Sequence, residues 1–455
     1  MAKNRAIKKK IVFGVEVELA SPLCISSGND ERTDNDLQRN YYGEVFVPGT
    51  SLAGAMRAYI ENVNDLFGKE QIDAKEDGIM SPLSISDLYF EEKNPITNER
   101  DGVGLEDKTA KDNMKFDMEI IETGAIGTFR MCLTIREQEN LQTEAQEEKW
   151  IHSIKQIFYG ISKGEIRFGA KKNRGFGRFT IKHLYVKEFG KENVEEWLNY
   201  KQGENIIFTE ENQADLAEWT SNGKNQYVKY TIPLILTGGI SIRKYAVDTD
   251  ANFEHVKCNG VSVVPGTSWA GAIRDRMRTI LSELSVASKR ADDFLKEWFG
   301  KVLVNNEKEN SKELSECTAA QSKVVFWESQ IDGGEDLILT RNKINRFDGS
   351  TVDGALYTEK SHFEGSTELH ILIKKTEEEQ NWLAFQGLLF LAIKDLLNGY
   401  LAVGGQTAVG RGIFSGSFSA MKREEDGKVE EMKNIDCKDY WNELKKFTEE
   451  GKQRV

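Results

Sequence analysis

The sequence predicts an α+β protein built twice from one module. Three observations carry this. The stretch VFVPGTSLAGAMR at 45–57 returns as VVPGTSWAGAIRDRMR at 263–278, with Gly49 and Gly266 217 positions apart. The Gly-rich stretch GAKKNRGFGRF at 169–179 returns as GGQTAVGRGIF at 404–414, with Gly169 and Gly404 235 positions apart, so the second copy is longer between the two marks. Each copy also opens on alternating apolar residues and holds two stretches with helical spacing. A period this long marks a duplicated domain and not a solenoid, whose repeats run to roughly 20–50 residues. The expected modules are 1–220 and 221–455. They meet in the polar stretch near 205–226, and each is long enough to build its own core.

Each copy begins with a period-2 pattern. Phe13, Val15, Val17 and Leu19 alternate in the first, and Val228, Tyr230, Ile232, Leu234 and Leu236 in the second. Such alternation predicts a half-buried strand. A long polar loop follows in each, at 26–40 and 243–260. Pro-Gly then signals a turn, and Thr50 or Ser51 is placed to cap a helix. Leu52, Ala55, Met56, Tyr59, Ile60 and Val63 share one helical face, as do Trp269, Ala272, Ile273, Met277 and Ile280. Both helices are expected to run toward a Phe-Gly stop, at 66–68 and 298–300. Strands come next, including 129–135 and 368–373. A second amphipathic helix follows at 147–161 and 379–401, then the Gly-rich loop and a last strand. The order β, α, β-rich middle, α, β resembles a βαββαβ ferredoxin-like unit with a large central insertion. Charged segments after each copy, NVEEWLNYKQGEN and DYWNELKKFTEEGKQ, are expected to form short closing helices.

The chain has 455 residues, 39% hydrophobic and 30% charged. Its longest apolar run, 383–393, is too short to span a bilayer, and the basic N-terminus lacks a signal-type apolar region. A cytoplasmic protein with no membrane partner is expected. Five scattered cysteines without a CxxC pair suggest neither a zinc site nor a disulfide framework. The net charge of −13 runs against a uniformly basic nucleic-acid binder. Screening over about 8 Å nevertheless lets acidic stretches coexist with a local basic groove. Basic residues cluster at Lys171, Lys172, Arg174 and Arg178, and again at Arg274, Arg276 and Arg278.

Three groups of residues point to anion chemistry. In the Gly-rich loop, Gly169 and Gly175 let the backbone approach a phosphate, while Lys171, Lys172, Arg174 and Arg178 neutralise it. The second copy offers Gly404, Gly405 and Arg411. No Gly-Lys-Ser/Thr closes either loop, which excludes a nucleotide-binding P-loop. The helix starts, Gly49, Thr50 and Ser51 in one copy and Gly266, Thr267 and Ser268 in the other, offer N–H groups and the positive helix end, with Arg57 and Arg274 two turns on. The third group is the loop aspartates: Asp30, Asp34 and Asp36, then Asp248 and Asp250. Loop carboxylates can hold divalent ions or polarise hydroxyls, although most loop aspartates do no more than stay solvated.

An N-terminal strand, a loop aspartate, PGTSLAGAMR and PGTSWAGAIR at the helix starts and a late GFGRF or GRGIF loop resemble the RAMP superfamily of CRISPR-associated proteins. The resemblance covers nearly the whole chain, twice. It is closest to backbone subunits of type III effector complexes, and a tandem pair looks like the double-backbone subunit of subtype III-D. It implies two modified ferredoxin-like (RRM-like) modules, each with a thumb-like hairpin inserted around 95–120 and 340–365. It further implies sequence-independent binding of crRNA, other type III subunits as partners, and cleavage of the paired target RNA with Mg2+ or Mn2+. In the family the reactive aspartate lies about five residues before a basic residue. Arg39 then points to Asp34 as catalytic residue and metal ligand, with Asp36 in reserve. The same spacing from His255 gives Asp250, with Asp248 in reserve. Ala53 and Ala270 stand where the family often has lysine. Three other readings remain open: a non-catalytic RNA-binding scaffold, a crRNA-processing endoribonuclease, and a small-molecule enzyme on the same fold. The second would use a histidine base, and none lies in the first module's early loop.

Overall fold

A computed structural model describes residues 6–26, 28, 33–60, 66–69, 78–92, 95–106, 109–137, 142–201, 207–221, 223–245, 251–300 and 321–451. The chain divides into two compact units. One comprises Met1–Lys172 and Phe176–Lys224, the other Asn225–Val455 together with Asn173–Gly175.

The first unit runs β1 (Ile7–Leu19), β2 (Phe46–Val47), α1 (Gly49–Arg57), β3 (Leu83–Ile85), β4 (Leu88–Phe90), β5 (Thr97–Glu106), β6 (Thr109–Ile121), β7 (Ile126–Arg136), α2 (Gln142–Ser162), β8 (Phe179–Phe189), α3 (Val194–Asn199) and α4 (Leu216–Trp219). Its sheet is antiparallel in the order β2–β4–β7–β1–β8, with β3 also on β7. β1 alternates as the sequence predicts: Phe13, Val15, Val17 and Leu19 are fully buried. They pack with Ile154, Ile157, Phe158 and Ile161 of α2 and with Leu52 and Met56 of α1. The opposite face is also covered, which alternation alone does not reveal. A Cβ on Gly14 would stand 3.0 Å from the Phe208 ring and 3.1 Å from Ile207, so glycine here admits the segment after α3. β5 and β6 form a separate two-stranded hairpin, Thr97–Glu106 paired with Thr109–Ile121, outside the main sheet.

The second unit repeats the plan with β9 (Tyr227–Thr237), β10 (Gly239–Ile240), β11 (Arg243–Tyr245), β12 (Phe253–His255), β13 (Lys257–Cys258), β14 (Val261–Val264), α5 (Gly266–Glu283), α6 (Ser288–Phe299), β15 (Val324–Phe326), β16 (Ser329–Gln330), β17 (Glu335–Arg341), β18 (Tyr357–Phe363), β19 (Ser366–Lys374), α7 (Glu379–Leu397), β20 (Asn398–Ala402), β21 (Ile413–Ser415), β22 (Lys422–Glu425), β23 (Lys428–Glu431) and α8 (Lys438–Glu450). Its main sheet is β15–β19–β9–β21–β20, so β9, β19, β21 and β15 take the places of β1, β7, β8 and β3. α7 is buried on almost every side. Its Gln386 is tolerated there because the Tyr230 hydroxyl donates to Gln386 Oε1 at 2.5 Å, while its own amide donates to the Trp382 carbonyl. β17 and β18 pair antiparallel from Glu335–Phe363 to Arg341–Tyr357, the counterpart of β5–β6.

Two expectations need correction. The helix after Pro-Gly does not run to the Phe-Gly stop. α1 ends at Arg57, and Val63 lies outside the described residues. In the second unit two helices cover the distance, with Ser285 at φ 62 between them and Gly300 at φ 86 ending the second. Nor do Thr50 or Ser51 cap the first helix. The N-cap is Pro48, with no side-chain cap bond, and Pro265 stands likewise before α5.

Candidate functional site

In the first unit the loop after β1 is laced to β6. The Asp34 N–H donates to Asp117 Oδ1 at 2.8 Å, and the Asp117 N–H donates back to Asp34 Oδ2 at 3.0 Å. The Glu119 N–H donates to the Asn35 carbonyl at 3.1 Å, and the Leu37 N–H to Glu119 Oε2 at 3.1 Å. Arg39 Nη2 donates to Glu119 Oε1 at 2.5 Å. Glu119 is buried and Arg39 half-buried, so this pair is a charge-assisted clamp and not a surface contact. Asp34 is thereby held exposed on a fixed backbone. Asp36 has a different role: its Oδ1 accepts from both the N–H and the hydroxyl of Thr33, which builds the turn. Asp30 lies outside the described residues. Asp117 leaves no local signal in the sequence, because its pairing with Asp34 spans 83 positions. It stands directly across from Asp101, whose carboxylate lies 3.4 Å from Lys115.

The Gly-rich loop reaches the same hairpin. Gly169, Gly175 and Gly177 have φ of 76°, 88° and 75°, and Gly404, Gly410 and Gly412 have φ of 95°, 80° and 71°. These are left-handed turns that favour glycine. The N–H groups of Gly177 and Gly405 are spent within the fold, on the carbonyls of Pro22 and Ser241. Lys171 sits at φ 55° with its ammonium 4.3 Å from the centre of the Phe116 ring on β6. That ring lies across Gly102 of β5, where a Cβ would collide with it. Lys172 is half-buried beside buried Arg167, and burial followed by the Arg167 charge pushes its pKa down. Arg178 is a structural clamp, donating to the Ala20 carbonyl at 3.0 Å while its own N–H donates to Ser21 Oγ. Arg57 is exposed with no ion-pair partner among the described residues, and Arg174 is likewise exposed.

The helix starts differ from expectation. The Gly49 N–H donates to Asp87 Oδ1 at 2.7 Å, so a carboxylate of the protein already occupies the place a phosphate would take. Gly49 is required there, since a Cβ would stand 2.7 Å from the Ile85 carbonyl. Gly266 packs as closely on the Phe326 carbonyl, and Thr267 and Ser268 follow it on α5. Arg274 lies 5.8 Å from the Phe299 ring centre, and burial lowers its pKa. Arg276 and Arg278 are ion-paired to Asp395 and Asp292. Arg411 stacks 4.5 Å over Phe363 of β18.

In the second unit Asp248 and Asp250 lie outside the described residues. The main-chain bonds nevertheless set the register. The Gln38 N–H donates to the Ile25 carbonyl and the Val256 N–H to that of Ile242; Gln38 then accepts from Phe46 and Val256 from Val263. Gln38 and Val256 are therefore counterparts. It follows that Asp34 corresponds to Asn252, Arg39 to Lys257 and Leu37 to His255. His255 does not replace Arg39. It is buried, its Nδ1 accepts from the Ile242 N–H at 3.1 Å, and its ring stacks 6.1 Å from His362. Burial, then the His362 charge, lowers its pKa to about 4. Lys257 donates to Asp336 at 2.6 Å. Burial would raise the Asp336 pKa, but its bonds from Lys257 and His362 hold it below the usual carboxylate value.

Among the described residues no group of three or more His, Cys, Asp or Glu side chains is arranged to hold a metal ion, and no helix is long and apolar enough to cross a membrane. The fold and the loop cluster define a protein of two tandem α+β modules, each with a hairpin against its first long loop. A family model of the RAMP superfamily matches residues 16–180 and again 249–415, and the chain belongs to that superfamily. Its members are generally RNA-binding, CRISPR-associated proteins that work with crRNA in multi-subunit complexes. No curated protein matches the chain.

Proposed function

We propose that the chain is a crRNA-binding backbone subunit of a type III CRISPR effector complex, and that it cleaves guide-paired target RNA. The observation that carries this reading is the meeting of three elements in the first unit: the Asp34 loop, the β5–β6 hairpin and the cationic Gly-rich loop. The strand order β8–β1–β7–β3 supports a ferredoxin-like palm, and the hairpins β5–β6 and β17–β18 suit the role of thumbs that kink the duplex. Lys171, Lys172 and Arg57 would contact phosphates without reading bases, as guide-independent binding requires.

The chemistry would use the target 2′-hydroxyl as nucleophile on the adjacent phosphorus, leaving a 2′,3′-cyclic phosphate and a 5′-hydroxyl. Kinking aligns the 2′-oxygen in line, which lowers the barrier by several kcal/mol. Asp34 would take or orient the hydroxyl proton. Mg2+ or Mn2+ fits the donors present: such ions bind through one or two carboxylates, substrate phosphates and waters, and Asp34 could supply a carboxylate. A bound ion would stabilise the developing negative charge.

The test is cleavage of a complementary target by the complex purified with its guide RNA, with and without Mg2+ or Mn2+. Asp34→Ala should lower the rate about a hundredfold or more while binding holds. A target with 2′-deoxy at the scissile position should bind and stay intact. Undiminished cutting by Asp34→Ala would leave the chain as an RNA-binding scaffold.

A further inference from the structure

The two modules share a backbone and differ in chemistry at three matched positions. Leu23 bridges Ile121 in the first as Ile240 pairs with His362 in the second, which aligns β6 with β18 and Asp117 with Thr358. The loop bonds agree. Asp34 and Asp117 exchange N–H bonds, and at the same place the Thr358 N–H donates to Asn252 Oδ1 at 2.8 Å while the Asn252 N–H donates to the Thr358 carbonyl at 2.7 Å. Across the hairpin Asp117 faces Asp101, and Thr358 faces Thr340, hydroxyl to hydroxyl at 3.0 Å. Three carboxylates in one module thus stand where the other has an amide and two hydroxyls. Asp34 and Asn252 are both exposed, so the difference faces solvent and not the core.

From this geometry we infer that only the first module cuts, that Asp117 is a positioning residue for Asp34, and that the second module holds RNA without cleaving it. The inference rests on the cleavage reading above. Asn252 already serves the backbone role of Asp34, accepting the hairpin N–H, so the loop fold does not need a carboxylate. A structural role therefore does not account for Asp34. Like charges placed directly across a hairpin are destabilising, yet Asp117 and Asp101 occupy such a pair in the first module, while the second has neutral residues in the same ladder. Sequences break a local rule of this kind mainly at functional sites. An amide cannot take a proton at neutral pH, and neither it nor threonine balances a cation's charge. The Gly-rich loops differ in the same sense. Lys171 and Gln406 are matched left-handed residues, at φ 55° and 57°, and only the first is a cation.

The experiment maps every cleavage product of a long complementary target on the purified guide-bound complex. The wild type should give, per copy of this chain, one cut. Asp34→Ala should remove it, and Asp248→Ala with Asp250→Ala should leave the pattern unchanged. Asp117→Asn keeps an oxygen to accept the Asp34 N–H and removes the charge. It should leave RNA binding and melting temperature in place and slow cutting at least about tenfold. If Asp117 only braces the loop, Asp117→Asn cuts at the wild-type rate, and the positioning role falls. Asn252→Asp with Thr358→Asp should create a second cut; its failure to do so overturns the assignment of silence to these positions. A product that survives Asp34→Ala and disappears with Asp250→Ala or Asp248→Ala overturns the inference and leaves the cleavage reading standing. A wild-type complex that cuts nothing overturns the cleavage reading itself.

Discussion

At the scale of the residue, His255 shows how a position can be misread from spacing and then explained by burial. Five residues separate it from Asp250, as five separate Arg39 from Asp34, and that match suggested a basic residue at an RNA groove. The backbone places it at the position of Leu37, inside the protein. Its neutral ring suits that place, and charging it there would set a cation beside the His362 ring and near Lys257, with the Val263 backbone and Asp336 offsetting only part of the cost. The folded pKa of about 4 lies below the unfolded value near 6.5. Between these values the unfolded chain binds more protons than the folded one, so stability rises with pH across that window. The contribution is fully present above about pH 6.5 and is lost as pH falls toward 4, on the order of 3 kcal/mol. Melting temperature followed from pH 7 to 4 should fall in the wild type. In His255→Leu, which installs the first module's residue, that part of the slope should vanish. An unchanged slope would show that other groups carry the acid sensitivity. Asp34 and the cations of the Gly-rich loop were legible in the sequence, because loop length, spacing and local charge are sequential properties. Asp117, Asp101 and the Asn252 register were not, because each is defined by pairing between strands far apart in the chain.

At the scale of the element, the start of α1 illustrates a competition that local sequence cannot decide. Pro-Gly-Thr-Ser announces a helix start correctly. Which anion meets its free N–H groups depends on the turn between β3 and β4, which brings Asp87 to within 2.7 Å of the Gly49 nitrogen. A nine-residue helix gains little from propagation alone, so this end contact counts. Asp87→Ala should destabilise the first unit by about 1–2 kcal/mol, the usual worth of an N-terminal acceptor with charge, and Asp87→Asn by less. Chemical denaturation of the three proteins would measure the difference; equal midpoints would mean that water replaces the carboxylate at no cost. The alternating strands and the second amphipathic helix of each module were legible for the opposite reason. Their period is set by which face meets the core, and β1 and α2 bury the residues that the period selects. The cover on the outer face of β1, built from Ile207 and Phe208, has no period to reveal it.

At the scale of the molecule, the balance of 61 Lys and Arg against 74 Asp and Glu is acidic, yet the family binds RNA. The resolution lies in which charges are already paired. Arg39, Arg276, Arg278 and Lys257 each hold a carboxylate of the protein, and are thereby removed from service as phosphate ligands. Arg57, Lys172 and Arg174 have no such carboxylate within ion-pair distance among the described residues. A few uncompensated cations, and not net charge, then set the electrostatic part of RNA affinity. Binding of single-stranded RNA should weaken with salt along a straight line in log K against log salt, with a slope of about −0.7 per phosphate contacted. Alanine at Lys172, Arg174 or Arg57 should each make that slope shallower by about 0.7, by the same amount for any RNA sequence. Alanine at Arg278, whose charge Asp292 already balances, should leave the slope unchanged. A loss confined to particular RNA sequences would mean that these cations read bases, and a slope that does not respond to any of the three would place the phosphate track elsewhere on the protein.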